Sequence, residues 1–387
     1  MAAPPGLTSN IAYLGLIFAL IVIPRALQRF RLPAALSSFG LGMLATALLG
    51  GAIADPTLRL LSTLGISSLF LFAGLDVDVD SLKRGFRPLL SHLILLSLML
   101  AGSVWLGMRV FALPWATAAL TALALLTPST GFILEALPAL GLNDDERFWV
   151  AIKAVGGEIL ALLVVFVILQ SGSSTTLATS SLVILFMVFG IPLLLRLLVR
   201  LVVPYAPGAE FSLLLMVGLV AAYLTERLGI NYLFGAFLAG FIARQLRSRL
   251  PKLASDENLR AIQLFASFFI PFYFFGAGMS VPSAALTWDA LRIGLVLTGA
   301  ALPLRIAVIW LQRRFIKGET ALGSLKVAIA LSPTLIFTLV LAAILRQRFG
   351  ISAALFGGLL VYAAISTLLP SLVLARRADP DDRPQSV

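Results

Sequence analysis

Residues 151 to 169 read Ala151-Ile-Lys-Ala-Val-Gly-Gly-Glu-Ile-Leu-Ala-Leu-Leu-Val-Val-Phe-Val-Ile-Leu169. The run is apolar and long enough for a helix to cross the roughly 30 Å hydrocarbon layer of a bilayer. One carboxylate, Glu158, sits inside it behind Gly156 and Gly157. An ionisable group in hydrocarbon costs about 3 kcal/mol or more, so its default meaning is an ion or proton path. Counted from the acidic stretch Asn143-Asp-Asp-Glu146, Glu158 lies after roughly 15 Å of helix, close to mid-bilayer. The reading is a carboxylate that binds a proton and a cation in turn. The plain alternative is a neutral glutamic acid hydrogen-bonded to a neighbouring helix.

The rest of the chain has the same character. Of its 387 residues 60% are hydrophobic and 12% charged, and the mean hydropathy is +1.02. Soluble domains carry about 25% charged residues, so this is a polytopic membrane protein. Long continuous apolar runs exclude a barrel, whose strands alternate, and leave an all-α fold. The pattern predicts about 13 spans, near 8–27, 33–52, 59–75, 88–112, 114–136, 148–170, 178–203, 210–228, 230–246, 260–279, 289–312, 320–345 and 351–375. There is no cysteine, and His92 is the lone histidine, so neither thiolate nor histidine metal chemistry is expected. No Walker motif, Gly-x-Ser-x-Gly elbow or His-Glu-x-x-His helix is present. The chain reads as a non-enzyme without cofactor.

The net charge of +11 belongs to loops that face anionic lipid, not to a nucleic-acid surface. Every second loop is basic: Arg25, Arg29 and Arg31; Lys83, Arg84 and Arg87; Arg196 and Arg200; Arg244, Arg247, Arg249 and Lys252; Arg313, Arg314 and Lys317. Arg376 and Arg377 follow the last span. The positive-inside rule then puts the N-terminus outside a cell (inner) membrane and the C-terminus in the cytoplasm. Met1 to Asn10 lack the basic start of a cleaved signal, and residues 378–387 read as a short disordered tail.

Three segment pairs recur in order about 200 residues apart, which suggests an inverted repeat. Leu69-Phe-Leu-Phe-Ala-Gly-Leu-Asp-Val-Asp78 matches Phe272-Tyr-Phe-Phe-Gly-Ala-Gly-Met-Ser-Val281, and Ser37-Ser-Phe-Gly-Leu-Gly-Met43 matches Leu233-Phe-Gly-Ala-Phe-Leu-Ala-Gly240. Leu126-Thr-Pro-Ser-Thr130 matches Leu331-Ser-Pro-Thr334. In this third pair proline removes an N–H and clashes with the preceding turn, so both helices should break mid-membrane. Freed carbonyls and the hydroxyls of Thr127, Ser129, Thr130, Ser332 and Thr334 are hard oxygen ligands suited to an alkali cation. The alternative is two ordinary proline kinks. Arg305 lies deep in an apolar helix and needs acceptors, so it should neutralise the negative half-helix ends, unless it snorkels to the surface. Glu135, Asp144, Asp145 and Glu146 form a candidate cytoplasmic entrance, or an exposed loop. Lys153 is read as snorkelling to that face to pair with these acids. Asp76, Asp78 and Asp80 read as a solvated loop paired with Lys83 and Arg84.

Leu71-Phe-Ala-Gly-Leu-Asp76, Gly235-Ala-Phe-Leu-Ala-Gly240 and Pro271-Phe-Tyr-Phe-Phe-Gly-Ala-Gly278 resemble signature segments of the monovalent cation:proton antiporters. The similarity runs from about residue 10 to about residue 375 and points to the branch of bacterial sodium–proton and potassium-efflux exchangers. It implies two crossed broken helices in a core (about 88–170 and 289–375), a dimer and gate side (about 8–75 and 210–279), and a linker (about 178–203). It also implies a homodimer and the exchange of protons for sodium or potassium. The family places aspartate on the sixth helix after another aspartate or an asparagine; Gly157-Glu158 stands there. One carboxylate with Arg305 on the eleventh helix resembles the electroneutral members. The alternatives are a sodium-coupled symporter of the related ten-helix fold, or a transport-inactive sensor or scaffold.

Overall fold

The computed structural model describes residues 5–49, 55–230, 232–251, 253, 255–316 and 318–374. Lys252, Lys317, Arg376, Arg377 and the 378–387 tail lie outside them, as do the first four residues. Among the described residues there are helices and no strand. In order they are α1 (Pro5–Gln28), α2 (Ala34–Leu49), α3 (Pro56–Leu75), α4 (Val79–Arg84), α5 (Phe86–Val110), α6 (Trp115–Leu126), α7 (Thr130–Ala136) and α8 (Asp144–Gln170). Then come α9 (Ser174–Leu201), α10 (Glu210–Arg227), α11 (Tyr232–Gln245), α12 (Asp256–Met279), α13 (Trp288–Leu311), α14 (Ala321–Ala330), α15 (Leu335–Phe349) and α16 (Ala353–Val373).

Each of the thirteen runs read from the sequence falls on a helix or a broken helix pair. By length and apolarity, however, only 8 helices among the described residues qualify as spans, or 9 with α14 and α15 taken as one. The others fall short for a physical reason. α2 and α11 are 16 and 14 residues long, and α10 carries Glu210, Glu226 and Arg227 within its 18.

Helix starts follow local chemistry. Asp55 caps α3 by accepting from the Leu58 N–H at 2.9 Å, with Pro56 behind it. Asn143 and Glu146 form a reciprocal capping box on α8, at 2.8 and 2.9 Å. Asp78 caps α4, and Lys83–Asp80 (3.4 Å) and Arg84–Asp78 (3.9 Å) are the local pairs expected of that loop.

The repeat is visible in how helices touch. α3 packs on α11 and α12, and α2 packs on α12. At the α3–α11 crossing a Cβ on Gly74 would collide with the Phe237 carbonyl, and one on Gly240 with the Leu71 carbonyl. The α2–α12 crossing has the same form, with Gly42 against the Phe275 carbonyl and Gly278 against the Phe39 carbonyl. In all four contacts the carbonyl lies three residues before the partner glycine. Such close backbone approach is open only to glycine and drives helix pairing where no hydrophobic force exists between helices. The sequence mates α3 and α12, and α2 and α11, thus build one crossing twice.

A second group of helices surrounds the breaks. α13 packs on α16, α15 on α16 and α6, and α5 on α6 and α8. The span that contains the first break is 94% buried in protein, which is the setting that tolerates a broken helix at membrane depth.

Candidate functional site

Both proline motifs break their helices. α6 ends at Leu126 and α7 starts at Thr130; α14 ends at Ala330 and α15 starts at Leu335, with a 43° bend between the halves. The two breaks meet. The Ser129 N–H donates to the Pro333 carbonyl at 2.8 Å, and the Ser129 hydroxyl accepts from the N–H groups of Ile336 (3.0 Å) and Phe337 (3.4 Å). Ser129 of one break therefore caps the half-helix that leaves the other.

Four half-helix ends come together here, and each has a partner. At the N-terminus of α7, the Thr130 N–H donates to Glu158 Oε2 at 3.2 Å. At the N-terminus of α15 the partner is Ser129. At the C-terminal end of α14, Arg305 donates to the Leu331 and Ser332 carbonyls, each at 3.0 Å. At the C-terminal end of α6, Thr338 donates to the Ala124 carbonyl at 2.7 Å and Tyr362 to the Leu125 carbonyl at 2.5 Å. Helix N-termini carry partial positive charge and C-termini partial negative charge. The carboxylate and the guanidinium thus sit at ends of opposite sign.

Glu158 is 2% exposed, in a closed pocket lined by Leu69, Phe70, Ala73, Ser129, Thr130, Gly131, Ile336 and Phe337. About a turn further along α3 and α15, Ile66, Leu339 and Val340 belong to the wall of an open cavity of about 760 Å³. Asp55, Glu226, Tyr232, Tyr273, Arg59 and Arg348 also line it. The rings of Phe70 and Phe337, both in the wall of the Glu158 pocket, face each other with centroids 6.1 Å apart and tilted by 55°.

The expected coordination set divides. Ser129 and Thr130 line the Glu158 pocket, and Thr127 is buried in the break before them. Ser332 and Thr334 face α16 instead: the Ser332 hydroxyl donates to the Ser366 carbonyl at 2.9 Å, and Thr334 Oγ1 lies 3.1 Å from Ser366 Oγ. The two breaks are therefore not equivalent: the first meets α8 through the Thr130 N–H while its Ser129 hydroxyl serves α15, and the second meets α16 through its hydroxyls. Arg305 is 4% exposed, so the snorkelling alternative fails.

The entrance group also divides. Glu135, Asp144 and Asp145 are exposed, but Glu146 is buried in the capping box, where its carboxylate is occupied by the Asn143 N–H. Lys153 does not snorkel. It is 1% exposed and donates to Gln312 Oε1 at 2.7 Å, while Gln312 donates on to Ser91 (2.6 Å) and the Pro88 carbonyl (3.2 Å). Gln312 reaches it because a π-helical turn, Gln312–Ile316, ends α13 and widens the ring there. Arg313 of the same turn was read as a loop cation. It is buried at 1% exposure, paired with Glu319 and 3.9 Å from Asp145, with Trp149 alongside. Arg227 donates to the Tyr223 hydroxyl at 2.7 Å, and Glu226 lines the large cavity.

Sequence reading missed Tyr362, Thr338, Ser366 and Gln312. A signal existed for the first. Moving from Glu158 by the spacing that separates Pro128 from Pro333 lands on Ala363, beside Tyr362.

The family model described as sodium/hydrogen exchanger, transmembrane, matches residues 15–376. The chain is 26% identical over 360 residues to a Na(+)/H(+) antiporter of Enterococcus hirae, covering 90% of this chain and 92% of that one. It is 27% identical over 339 residues to the glutathione-regulated potassium-efflux system protein KefC of Salmonella newport, covering 80% of this chain. It spans only 50% of the KefC length. The fold is similar to that of the sodium proton antiporter MjNhaP1 from Methanocaldococcus jannaschii at pH 8, with a TM-score of 0.68 at 15% identity, covering 95% of this chain and 96% of that one.

Proposed function

The chain belongs to the sodium/hydrogen exchanger family, and from that premise we propose that it is a cation:proton antiporter whose exchange site is Glu158. The observation that carries this is the meeting of Glu158 with the Thr130 N–H at the crossing of two broken helices. The N–H and the helix end hold the carboxylate in place without neutralising it in full. One proton or one monovalent cation completes the balance, and the two compete for the same oxygens. For sodium or potassium, Ser129, Thr130 and Thr127 supply further oxygens by hydroxyl, carbonyl or water. Ser332 and Thr334 hold α16 and set the crossing. Arg305 keeps its charge and compensates the end of α14.

Alternating access follows from the two helix groups. The helices around the breaks form a core that moves against α2, α3 and α10–α12, and homodimers form on the latter side. The core meets α3 through Phe70 and Phe337, so relative sliding opens or closes the path from the 760 Å³ cavity to Glu158. With the N-terminus outside and the C-terminus in the cytoplasm, that cavity faces outward. The protein is a multi-pass membrane protein, and we place it in the cell (inner) membrane. The deciding experiment is proteoliposome exchange followed by an internal pH dye, with sodium, potassium or lithium added in turn. Proton movement driven by one of them, without any organic solute, is expected. Silence toward all three overturns the reading, and a requirement for an organic solute would mean symport.

A further inference from the structure

We propose that Tyr362 is a positioning residue for exchange: it extends the Arg305 charge from one helix break to the other and so fixes the segment that offers its N–H to Glu158. The proposal rests on Glu158 being the exchange site.

The need arises from Pro128. In an unbroken helix the residue at 128 would donate to Ala124 and Ser129 would donate to Leu125. Proline has no N–H, and the Ser129 N–H is turned to Pro333 at 2.8 Å. The Ala124 and Leu125 carbonyls at the end of α6 are thereby left without helical donors in a buried site. Thr338 serves Ala124 at 2.7 Å, and Tyr362 serves Leu125 at 2.5 Å. The two hydroxyls differ in what stands behind them. Tyr362 Oη also accepts from Arg305 Nη1 at 3.0 Å, whereas Thr338 Oγ1 lies 2.9 Å from the Thr334 hydroxyl. A guanidinium only donates, so the chain runs Arg305 to Tyr362 to the Leu125 carbonyl. Hydrogen bonds in series polarise one another, most where the dielectric is low. One guanidinium thus acts on the C-terminal ends of both half-helices, on α14 directly and on α6 through the phenol.

This bears on the site because of the short distance along the chain. Only Leu126 to Ser129 separate the carbonyl held by Tyr362 from the N–H held by Glu158. Three of these residues are outside helix: the Thr127 N–H still donates to the Leu123 carbonyl at 2.9 Å, but Pro128 has no N–H and the Ser129 N–H is turned to Pro333. Their position is set at one end by Tyr362 and Thr338 and at the other by Glu158 and the Ser129 contacts. Tyr362 is 0% exposed, so its hydroxyl is out of contact with bulk solvent.

The test is Tyr362→Phe in proteoliposomes, with parent, Glu158→Gln and Thr338→Val alongside. Both Tyr362→Phe and Thr338→Val loosen the end of α6, but only the first disconnects Arg305. The expected result for Tyr362→Phe is a rise of about tenfold in cation KM with kcat within about threefold, and an equal loss in the cation concentration that raises Tm in detergent. For Thr338→Val the KM change should stay under about threefold. A Tyr362→Phe protein that melts lower but keeps the parent KM overturns the proposal, as do a fall in kcat alone and equal KM changes in the two variants. If Tyr362→Phe does not assemble, 3-fluorotyrosine at 362 keeps the hydroxyl, adds one small ring fluorine and makes the phenol a stronger donor and a weaker acceptor. Its KM must then differ at least about threefold from that of the same analogue at exposed Tyr205, and equality overturns the proposal. A parent that exchanges no cation overturns this proposal and the functional reading together. An active parent with a silent Glu158→Gln keeps the functional reading whatever Tyr362 does.

Discussion

The Thr130 N–H and Glu158 Oε2 meet at 3.2 Å across 28 residues of chain, and the bond joins a half-helix N-terminus to the one carboxylate within the crossing. Glutamine at 158 would keep an acceptor for that N–H and the same shape, while losing the site for a proton or a cation. Glu158→Gln should therefore insert and fold normally and exchange at least ~100-fold more slowly than the parent. Glu158→Asp retains the carboxylate one methylene further back and should keep part of the activity. The dye assay in liposomes measures both. A glutamine variant with more than a tenth of parental exchange would remove Glu158 from the mechanism.

Ser129→Ala tests how the breaks hold each other. The hydroxyl accepts from the N–H groups of Ile336 and Phe337, the second and third residues of α15. Loss of an N-cap costs about 1 kcal/mol, and more where the N–H is buried, so about 1–2 kcal/mol is expected here. Melting in detergent reads this, with Ser173→Ala as the comparison, since Ser173 starts α9 without a side-chain cap. Equal melting of the two variants would show that the α15 terminus does not depend on Ser129.

Arg305→Ala leaves the Leu331 and Ser332 carbonyls and the Tyr362 hydroxyl without their donor. Leaving a buried acceptor unsatisfied costs about 1–3 kcal/mol, and three lose their donor here, so this variant should melt well below the parent. Arg305→Lys keeps the charge as a single point and loses the planar fork, and it should be intermediate in both stability and exchange. If Arg305→Ala melts like the parent and loses only transport, its place is in the ion path and not in holding the crossing.

The sequence made the breaks legible because proline between hydroxyl residues acts locally. Pro128 and Pro333 break their helices, whereas Pro24, Pro192, Pro271, Pro303 and Pro370 lie inside continuous ones, so the flanking hydroxyls and the repeat spacing carried the signal. The repeat was legible too, because glycines that must meet a carbonyl leave a spaced trace, and Gly42, Gly74, Gly240 and Gly278 do so. Where each freed group finds its partner was not legible. Tyr362 reaches Leu125 across 237 residues, and Lys153 reaches Gln312 across 159. Only the crossing angle of the helices decides such pairs. Lys153 and Arg313 were misread for the same reason. A cation close to a loop looks solvated until a π-helical turn brings an amide or a carboxylate to it.

Phe70 and Phe337 face each other in the wall of the Glu158 pocket, and the proposal that they close it toward the large cavity yields a labelling prediction. The chain has no cysteine, so single introduced cysteines report without background. Thr63→Cys, exposed on the cavity wall, should react readily with a membrane-impermeant thiol reagent applied from that side. Ala73→Cys, in the pocket, should react at least ~10-fold more slowly, and Phe337→Ala should remove most of that difference. Equal rates at 63 and 73 in the otherwise unchanged protein would mean that the rings do not close the path.

Exchange should be electroneutral, one proton against one monovalent cation. Glu158 is the one carboxylate that the crossing places beside a half-helix N-terminus, and Gly157 adds no second group. Arg305 stays charged, held by two carbonyls and a phenol. Lys153 is buried on the same helix, but it is engaged with Gln312 at the π-helical turn and not with the Glu158 pocket. It should therefore carry the same charge in both half-cycles. A single carboxylate that holds either a proton or a cation moves the core with the same net charge each way. The membrane potential, worth about 2.3 kcal/mol per charge per 100 mV, then does no work on the cycle. The measurement is exchange in liposomes at fixed ion gradients, with and without a valinomycin-clamped potential. An unchanged rate and a reversal point set by the ion gradients alone are expected. A reversal point that moves with voltage would mean a second titrating group. Lys153→Gln would then be the variant to make, because Lys153 is the buried cation on the Glu158 helix.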